Sequence, residues 1–385
     1  MVHSLTVMAT TNSAANRARS ELARLAAARM DDDVFRWEAA AVLRRAVGFD
    51  GWCMLLTDPG ARLPTRDIGE VVDLGIRRLV RRLPGMFMGG GGPTRRPVAL
   101  TSEATGGDLA ADPLWREVFG PAGIGDHLSA PLVAGRTCWG QLHTYRNSSG
   151  AHFGKDDAEL VAAVTPLLAA RLRDGLRGPA PPDDPAPEQG TVILDEELCL
   201  VAATPAARDW IGRLGLQPPS AAEPLPGVFY VVTTRVALAR AKGIDPPPAA
   251  RVRLRDASGR WVVVRAAPLL GTAGGYAVTL ESARSQDLAP LLMRAWSLTA
   301  REQDVAQLVI DGLTSEDIAR ELFISAHTVR DHVKAIFTKT GVSRRQDLMA
   351  ALAGLPPDPG RTDSGRLDGC CCARGRSQGS SQGGG

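Results

Sequence analysis

Residues 298–348, near the C-terminal end, constrain this 385-residue chain more than any other segment, because they read as four short helices, each with its own start signal. Thr299 followed by Glu302 is a capping box, in which hydroxyl and carboxylate each satisfy an orphan N–H of the first turn. Val305, Leu308 and Val309 follow at helical spacing and Gly312 supplies the stop. Thr314 opens a second helix, with Glu316 and Asp317 in its positive first turn and Ile318, Ala319 and Leu322 on its buried face. A tight turn at Phe323-Ile324 leads to Ser325, the cap of a third helix whose core stripe is Val329, Val333, Ile336 and Phe337. Gly341 ends that helix, and Ser343 with Gln346 begins the fourth. Two short helices joined by a tight turn form the unit that lays its second helix in a DNA major groove.

Side chains three and four positions apart share a helix face, so His327, Arg330, Asp331 and Lys334 project together, opposite the core stripe. Arg and Lys suit guanine, which presents two acceptors in the major groove. Ser325, Thr328, His332 and Lys339 lie where hydroxyls and cations hold phosphates and set register. A charged stripe on a helix is more often a solvated face. Here caps, turn and basic stripe coincide, which favours DNA.

The segment resembles the C-terminal domain of LuxR-family transcriptional regulators, the type shared with NarL/FixJ response regulators. The resemblance is carried by Leu298-Thr299, Arg301-Glu302, Gly312-Leu313, Ile318-Ala319, Leu322, Ser325, Thr328-Val329, His332-Val333-Lys334, Ile336, Lys339 and Gly341-Val342. It implies a four-helix domain that dimerises on DNA, often through its fourth helix. Position by position, it implies base contacts from Arg330, Asp331 and Lys334 and phosphate contacts from Thr328, His332 and Lys339. Ser315 departs from the family's usual Asn, and Asp331 puts an acid on the reading face, where it would accept from cytosine N4 or repel the backbone. Seven basic and eight acidic residues leave 298–348 nearly neutral, so affinity must come from local arrangement. One such module binds weakly, and two in a homodimer reading half-sites multiply the affinity.

A formal charge of +3 excludes a polybasic tail as the source of binding, and 44% hydrophobic residues support real cores. The chain is long enough for two or three domains. No apolar stretch reaches the length of a membrane span and no secretory signal pattern opens the chain, so a soluble cytoplasmic protein without membrane partners is expected. Cys53, Cys138 and Cys199 sit singly in apolar segments, as buried thiols do. Cys370-Cys371-Cys372 lie in a tail of Arg, Gly, Ser and Gln that lacks core residues and reads as disordered.

The expected organisation is multidomain: 1–32 an N-terminal helical or flexible segment, 33–177 an α+β domain, 178–189 a Pro-rich linker, 190–285 a second α+β domain, 286–354 the all-α helix-turn-helix domain and 355–385 a disordered tail. Within 33–177, a helix capped by Asp31–Asp33 precedes an apolar strand, Trp52 to Leu56, closed by Asp58-Pro59-Gly60. A helical pattern follows near 67–83, then a hairpin over 128–146 turning near Arg136 and a closing helix over 155–176. Gly89 to Gly92, after Pro84, is not a phosphate loop, because no Lys-Ser/Thr pair follows. This order resembles a GAF domain, as do Gly48-Phe49-Asp50 and Phe153-Gly154-Lys155-Asp156-Asp157. Residues 190–285 read as a hairpin, a helix Pro205–Leu214 and three strands near 250–255, 260–267 and 276–281. That layout resembles a PAS fold, with Thr204 where the family often has Asn. A short helix over 287–296 then runs straight into Leu298, close enough to transmit a shift in the second domain.

Alternation along 138–146 puts Trp139, Gln141, His143 and Tyr145 on one strand face, where they could line a ligand cavity; the plainer reading packs the aromatics and leaves the histidine at the surface. Cys53, His127, Cys138 and His143 follow no metal-ligand spacing, so neither a metal nor a cofactor is expected. The chain reads as a non-enzymatic, homodimeric regulator of double-stranded DNA, with RNA polymerase and a small-molecule effector as further partners. A sigma-factor-like subunit is the nearest alternative, disfavoured by His332-Val333-Lys334, Lys339 and Gly341-Val342-Ser343. An enzyme fused to a DNA-binding module has no catalytic constellation to support it. A phosphorylated receiver lacks its acidic pair, and an ATP-driven regulator lacks a G-x-x-x-x-G-K-[ST] run.

Overall fold

The computed structural model describes residues 2–70, 74–82, 97–178, 187–216, 224–244, 250–271 and 274–355. The glycine run at 89–92, most of the Pro-rich linker and the Cys370–Cys372 tail lie outside the described residues. Helix α1 (Val2–Ala27) comes first, and its Ala18 and Leu22 are buried. Helix α2 (Asp32–Val47) starts where the Asp31 carboxylate accepts from the backbone of Asp33 and Val34, and it ends on Gly48 in the left-handed region.

Strands β1 (Gly51–Asp58), β2 (Leu63–Glu70), β3 (Ala99–Leu100), β4 (Ile124–Ala134) and β5 (Thr137–Asn147) form an antiparallel sheet in the order β2-β1-β5-β4-β3. Helix α3 (Ile76–Arg82) follows β2, α4 (Thr101–Ala104) follows β3, and α5 (Lys155–Gly175) closes the domain. Leu43, Met54, Leu128, Leu142, Val164 and Leu168 share the apolar core that α2 and α5 make with one face of this sheet. The helical pattern read near 67–83 is corrected here: its first residues belong to β2, an edge strand, and among the described residues of this range only 76–82 are helical. Pro64, Asp67 and Gly69 disguise the strand, and an edge position tolerates such residues because one side needs no ladder partner.

Arg146 explains two of the phrases singled out in the sequence. Its Nε donates to the Gly48 carbonyl at 2.7 Å and its Nη1 to that of His152 at 2.8 Å. The guanidinium stacks over Phe153 and pairs with Asp157 at 3.2 Å, so the end of α2 and the start of α5 are tied together. Asp126, fully buried, accepts from Ser102 N and Oγ, His127 N and Phe153 N, and so stitches β4 to α4 and to the same turn.

A second antiparallel sheet follows, with β6 (Gly190–Leu194), β7 (Leu200–Ala203), β8 (Ala250–Arg255), β9 (Trp261–Pro268) and β10 (Tyr276–Ser282) in the order β7-β6-β10-β9-β8. Helix α6 (Pro205–Leu214) is capped by Thr204. Helix α7 (Gly227–Ala241), absent from the sequence reading, lies between the two sheets against β2, α3, β8 and β9. Its Val228, Val231, Val232, Thr233, Thr234 and Val236 are buried, and such a β-branched run looks like a strand in the sequence although it packs here as a largely buried helix.

Helix α8 (Ser285–Ala295) leads to α9 (Ala300–Ile310), α10 (Ser315–Glu321), α11 (Ala326–Thr340) and α12 (Arg345–Leu352). The fourth helix of this domain starts after Arg344, not at Ser343, and no side chain caps it. No described helix is long and apolar enough to cross a membrane.

Candidate DNA-reading surface and ligand face

Local chemistry builds the helix-turn-helix. Thr299 Oγ1 accepts from Glu302 N and the Glu302 carboxylate takes the Thr299 N–H at 2.6 Å. Thr314 and Asp317 repeat the exchange at α10, and Ser325 Oγ accepts from Thr328 N at 3.0 Å to start α11. Between α10 and α11, Phe323 adopts a positive φ of 53° and points its ring to solvent. Ile318, Val329 and Ile336 are fully buried beneath the pair. The left-handed Gly341 ends α11.

The outer stripe of α11 is open. His327, Arg330, Asp331 and Lys334 are all exposed and lie along one side of the helix. His327 Nε2 stands 3.6 Å from Asp331 Oδ2, so the acid on the stripe has a neighbour one turn back. Arg330 Nε donates to the Ala326 carbonyl at 3.2 Å, which lays its guanidinium along the helix. Among the described residues, Lys334 has no ion-pair partner.

The residues read as phosphate contacts divide. Thr328 and His332 are half-buried at the edge of the stripe. The Ser325 hydroxyl is engaged in its cap and in a 2.9 Å bond with Thr328 Oγ1. Lys339 turns inward instead: its ammonium meets Glu302 at 2.6 and 2.9 Å and reaches the Ser297 carbonyl. Burial pushes the Glu302 carboxyl up, but Lys339 and Thr299 outweigh it and hold it below the ordinary carboxylate value. In this arrangement Lys339 ties α11 to the start of α9.

The four residues read as one strand face do not stay together. Leu132 pairs with Gly140 and Val133 with Cys138, so Trp139 is the extra residue of a β-bulge. The bulge shifts the alternation, and Trp139 joins the apolar core with Leu132 and Leu142 while Tyr145 belongs to the opposite side. Trp139 is therefore withdrawn from the ligand face.

Gln141, His143 and Tyr145 remain on that face. Cross-strand register adds Cys53 opposite His143, His127 opposite Tyr145 and Ser129 opposite His143. Asp67 joins from β2, opposite Leu55, itself opposite Gln141. His127 Nε2 and His143 Nδ1 are 3.0 Å apart, and His143 Nε2 meets Gln141 Oε1 at 3.2 Å, a chain in which the orientation of the amide selects the tautomers. His127 stacks on Tyr145 at 5.1 Å, and Phe119 caps both rings.

Desolvation sets the charge here. It pulls His143 down to about 4 and, helped by the neighbouring imidazole, holds His127 well below its ordinary value, so both rings are neutral near pH 7. Burial also pushes the Cys53 thiol and the Tyr145 phenol well up. Asp67 keeps an exposed surface, yet the protein around it raises its carboxyl above the usual value. Ser129, Gln141 and His143 likewise stay half-accessible deep in the domain. Among the described residues, no three His, Cys, Asp or Glu side chains stand as a metal site would need. Ser129 and Asp67 had no signal in the sequence, because their placement depends on β2 being a strand and on the register of β4.

Comparison with known proteins agrees with the geometry at both ends. Residues 296–352 match the family described as bacterial regulatory proteins, luxR family, and residues 38–172 match the GAF domain. HTH-type transcriptional regulators of Mycobacterium bovis and Mycobacterium tuberculosis are each 44% identical over 66 residues, 16% of this chain. The match spans only 8% of the length of those curated relatives. The crystal structure of Escherichia coli SdiA covers 88% of this chain and 98% of its own at 12% identity and a TM-score of 0.33, a likeness too slight to carry an argument. The chain carries a GAF domain and, behind it, a helix-turn-helix domain of the luxR family of bacterial regulatory proteins.

Proposed function

We propose that this chain is a sequence-specific transcriptional regulator that binds double-stranded DNA as a homodimer and works in the cytoplasm. The observation that carries the proposal is the open stripe of α11, with Arg330 and Lys334 exposed above a capped helix-turn-helix core. Laid in a major groove, Arg330 and Lys334 reach guanine acceptors, and Asp331 accepts from cytosine N4. Thr328 and His332, at the edge of the stripe, bind phosphates, and Ser325 assists from the cap.

The GAF domain supplies control. Gln141, His143, Ser129 and Asp67 offer a neutral small molecule donors and acceptors beside the Tyr145 ring, as ligand sites do. The second sheet is a PAS-like domain within 190–285, a reading supported by its hairpin, intervening helices and three-strand order. RNA polymerase is the partner through which a bound regulator would act.

Selection of random duplex DNA by the full-length chain tests the proposal, followed by binding of the enriched site by wild type and Lys334→Ala. The expected result is an inverted repeat, with the variant losing discrimination at one position per half-site. Equal enrichment of all sequences would sink it.

A further inference from the structure

The second sheet turns an arginine-rich face away from its apolar core. Register places Arg251 beside Arg265, Arg253 beside Val263 and Arg255 beside Trp261, while Val252, Leu254, Val262 and Val264 point the other way. Arg253 is buried on this face and so needs partners, and they come from two other parts of the molecule.

Asp58, at the end of β1 in the GAF domain, sends its carboxylate into this face. Its Oδ2 accepts from Arg253 N at 2.9 Å and Nε at 2.7 Å, and its Oδ1 from Arg253 Nη2 at 2.6 Å. The N–H groups of Gly60 and Ala61 complete the set. Both partners are nearly solvent-free, at 2% and 7% exposure. The remaining arm of Arg253 donates from Nη1 to the carbonyl of Asp287, in the first turn of α8, at 2.7 Å. The Asp287 carboxylate accepts from Arg251 and Arg265, each at 3.0 Å.

The far end of α8 is held by the GAF domain as well. Arg294 Nη1 donates to the Pro59 carbonyl at 3.2 Å, Arg177 Nε to the Ala295 carbonyl at 2.8 Å, and Arg173 Nη1 to Ser297 Oγ at 3.2 Å. One residue later the helix-turn-helix begins, at Leu298. A buried ion pair contributes little net stability compared with apolar packing, so its consequence is geometric: it fixes which groups face each other.

We propose that the Asp58–Arg253–Asp287 joint couples the GAF domain directly to α8, so that the DNA-binding domain follows the GAF sheet and not only the domain that precedes it in the chain. Strand β1 is the connecting element. It carries Cys53 and Leu55 on the proposed ligand face and ends at Asp58. The part of this inference that concerns DNA rests on the regulator reading; the part that concerns α8 does not.

Hydrogen exchange of the full-length chain tests the joint, comparing wild type with Asp58→Asn and with Arg294→Ala. Arg294 is exposed, so its loss leaves folding intact even where Asp58→Asn does not fold. In Asp58→Asn, amides across 285–298 should exchange about tenfold faster or more, as for loss of one charge-assisted hydrogen bond. Amides of β4 and β5 should keep wild-type protection. Arg294→Ala should shift the same amides less, in the same direction. Both variants should change affinity for the duplex selected by wild type by about threefold or more. Unchanged exchange at 285–298 in Arg294→Ala and in folded Asp58→Asn overturns the joint. Faster exchange with unchanged affinity overturns its link to DNA. A wild-type chain that binds no DNA overturns the regulator reading, and exchange alone then decides the joint.

Discussion

The two five-stranded sheets share one strand order but differ in what they do with the face that is not the apolar core. In the first, α2 and α5 cover one side, and the other presents Asp67, Ser129, Gln141 and the His127–His143 pair. In the second, α6 and α7 cover one side, and the other presents arginines that hold Asp58 and α8. In the first sheet His127, His143 and Gln141 bond to one another, and Asp67, Ser129, Gln141 and His143 keep some access to solvent. In the second, Arg253 is buried on Asp58 and Asp287, while Arg251 and Arg265 meet Asp287 and keep some access to solvent. The difference is one of partners: the polar groups of the first sheet include a chain bonded within the sheet, and the buried Arg253 of the second is bonded to Asp58 of the first domain and to the Asp287 carbonyl of α8.

The sharpest way to break this comparison is to cross the first sheet. Leu142→Ala, on its apolar side, should cost about 2–5 kcal/mol in a denaturant melt, because a fully buried leucine leaves a cavity. A loss under about 1 kcal/mol would mean that this side is not the core. In the DNA-binding domain, Lys334→Ala should cost about 1–3 kcal/mol against the selected site and leave the melting temperature unchanged. A uniform loss on all sequences would make Lys334 a phosphate contact. Lys339→Met should do the reverse, lowering stability through its tie to Glu302.

Acidity addresses the histidine pair. The unfolded imidazole of His143 takes a proton near pH 6.5 and the folded one only near pH 4. Between those values the unfolded chain binds more protons, so stability should fall as pH is lowered, by at most about 1.4 kcal/mol per pH unit for each such histidine. His127 adds to the same slope in the same direction. His143→Leu should flatten the slope, and an unaltered slope would place the titration elsewhere. The smallest effect belongs to Gln141→Met. It removes one half-buried hydrogen bond and should cost about 1 kcal/mol or less while altering any ligand response. A loss as large as that of Leu142→Ala would make Gln141 structural and remove the distinction between the two sides.

The helix-turn-helix was legible in the residues because its signals are local. Thr299 with Glu302, Thr314 with Asp317, Ser325 and Gly341 each act within a turn of where they stand, and the exposed stripe follows from helical spacing. The β4–β5 and β6–β7 hairpins, α6 and the closing helix α5 were legible for the same reason, whereas β2 read as helix. Lys339 was half legible: its charge was plain, but its choice of Glu302 depended on how α11 packs against α9.

Sequence alone determined the capped helices, the strand periods and the basic face of α11, since these depend on neighbours a few residues away. Tertiary structure decided the rest. The bulge at Trp139 reversed the facing of one aromatic residue, and the register of β1, β4 and β5 brought Cys53, His127 and Ser129 to His143. The β-branched run 227–241 is a helix packed between the two sheets, which its residues by themselves did not reveal. The Asp58–Arg253 pair joins residues 195 positions apart, a separation over which no periodicity or cap signal extends.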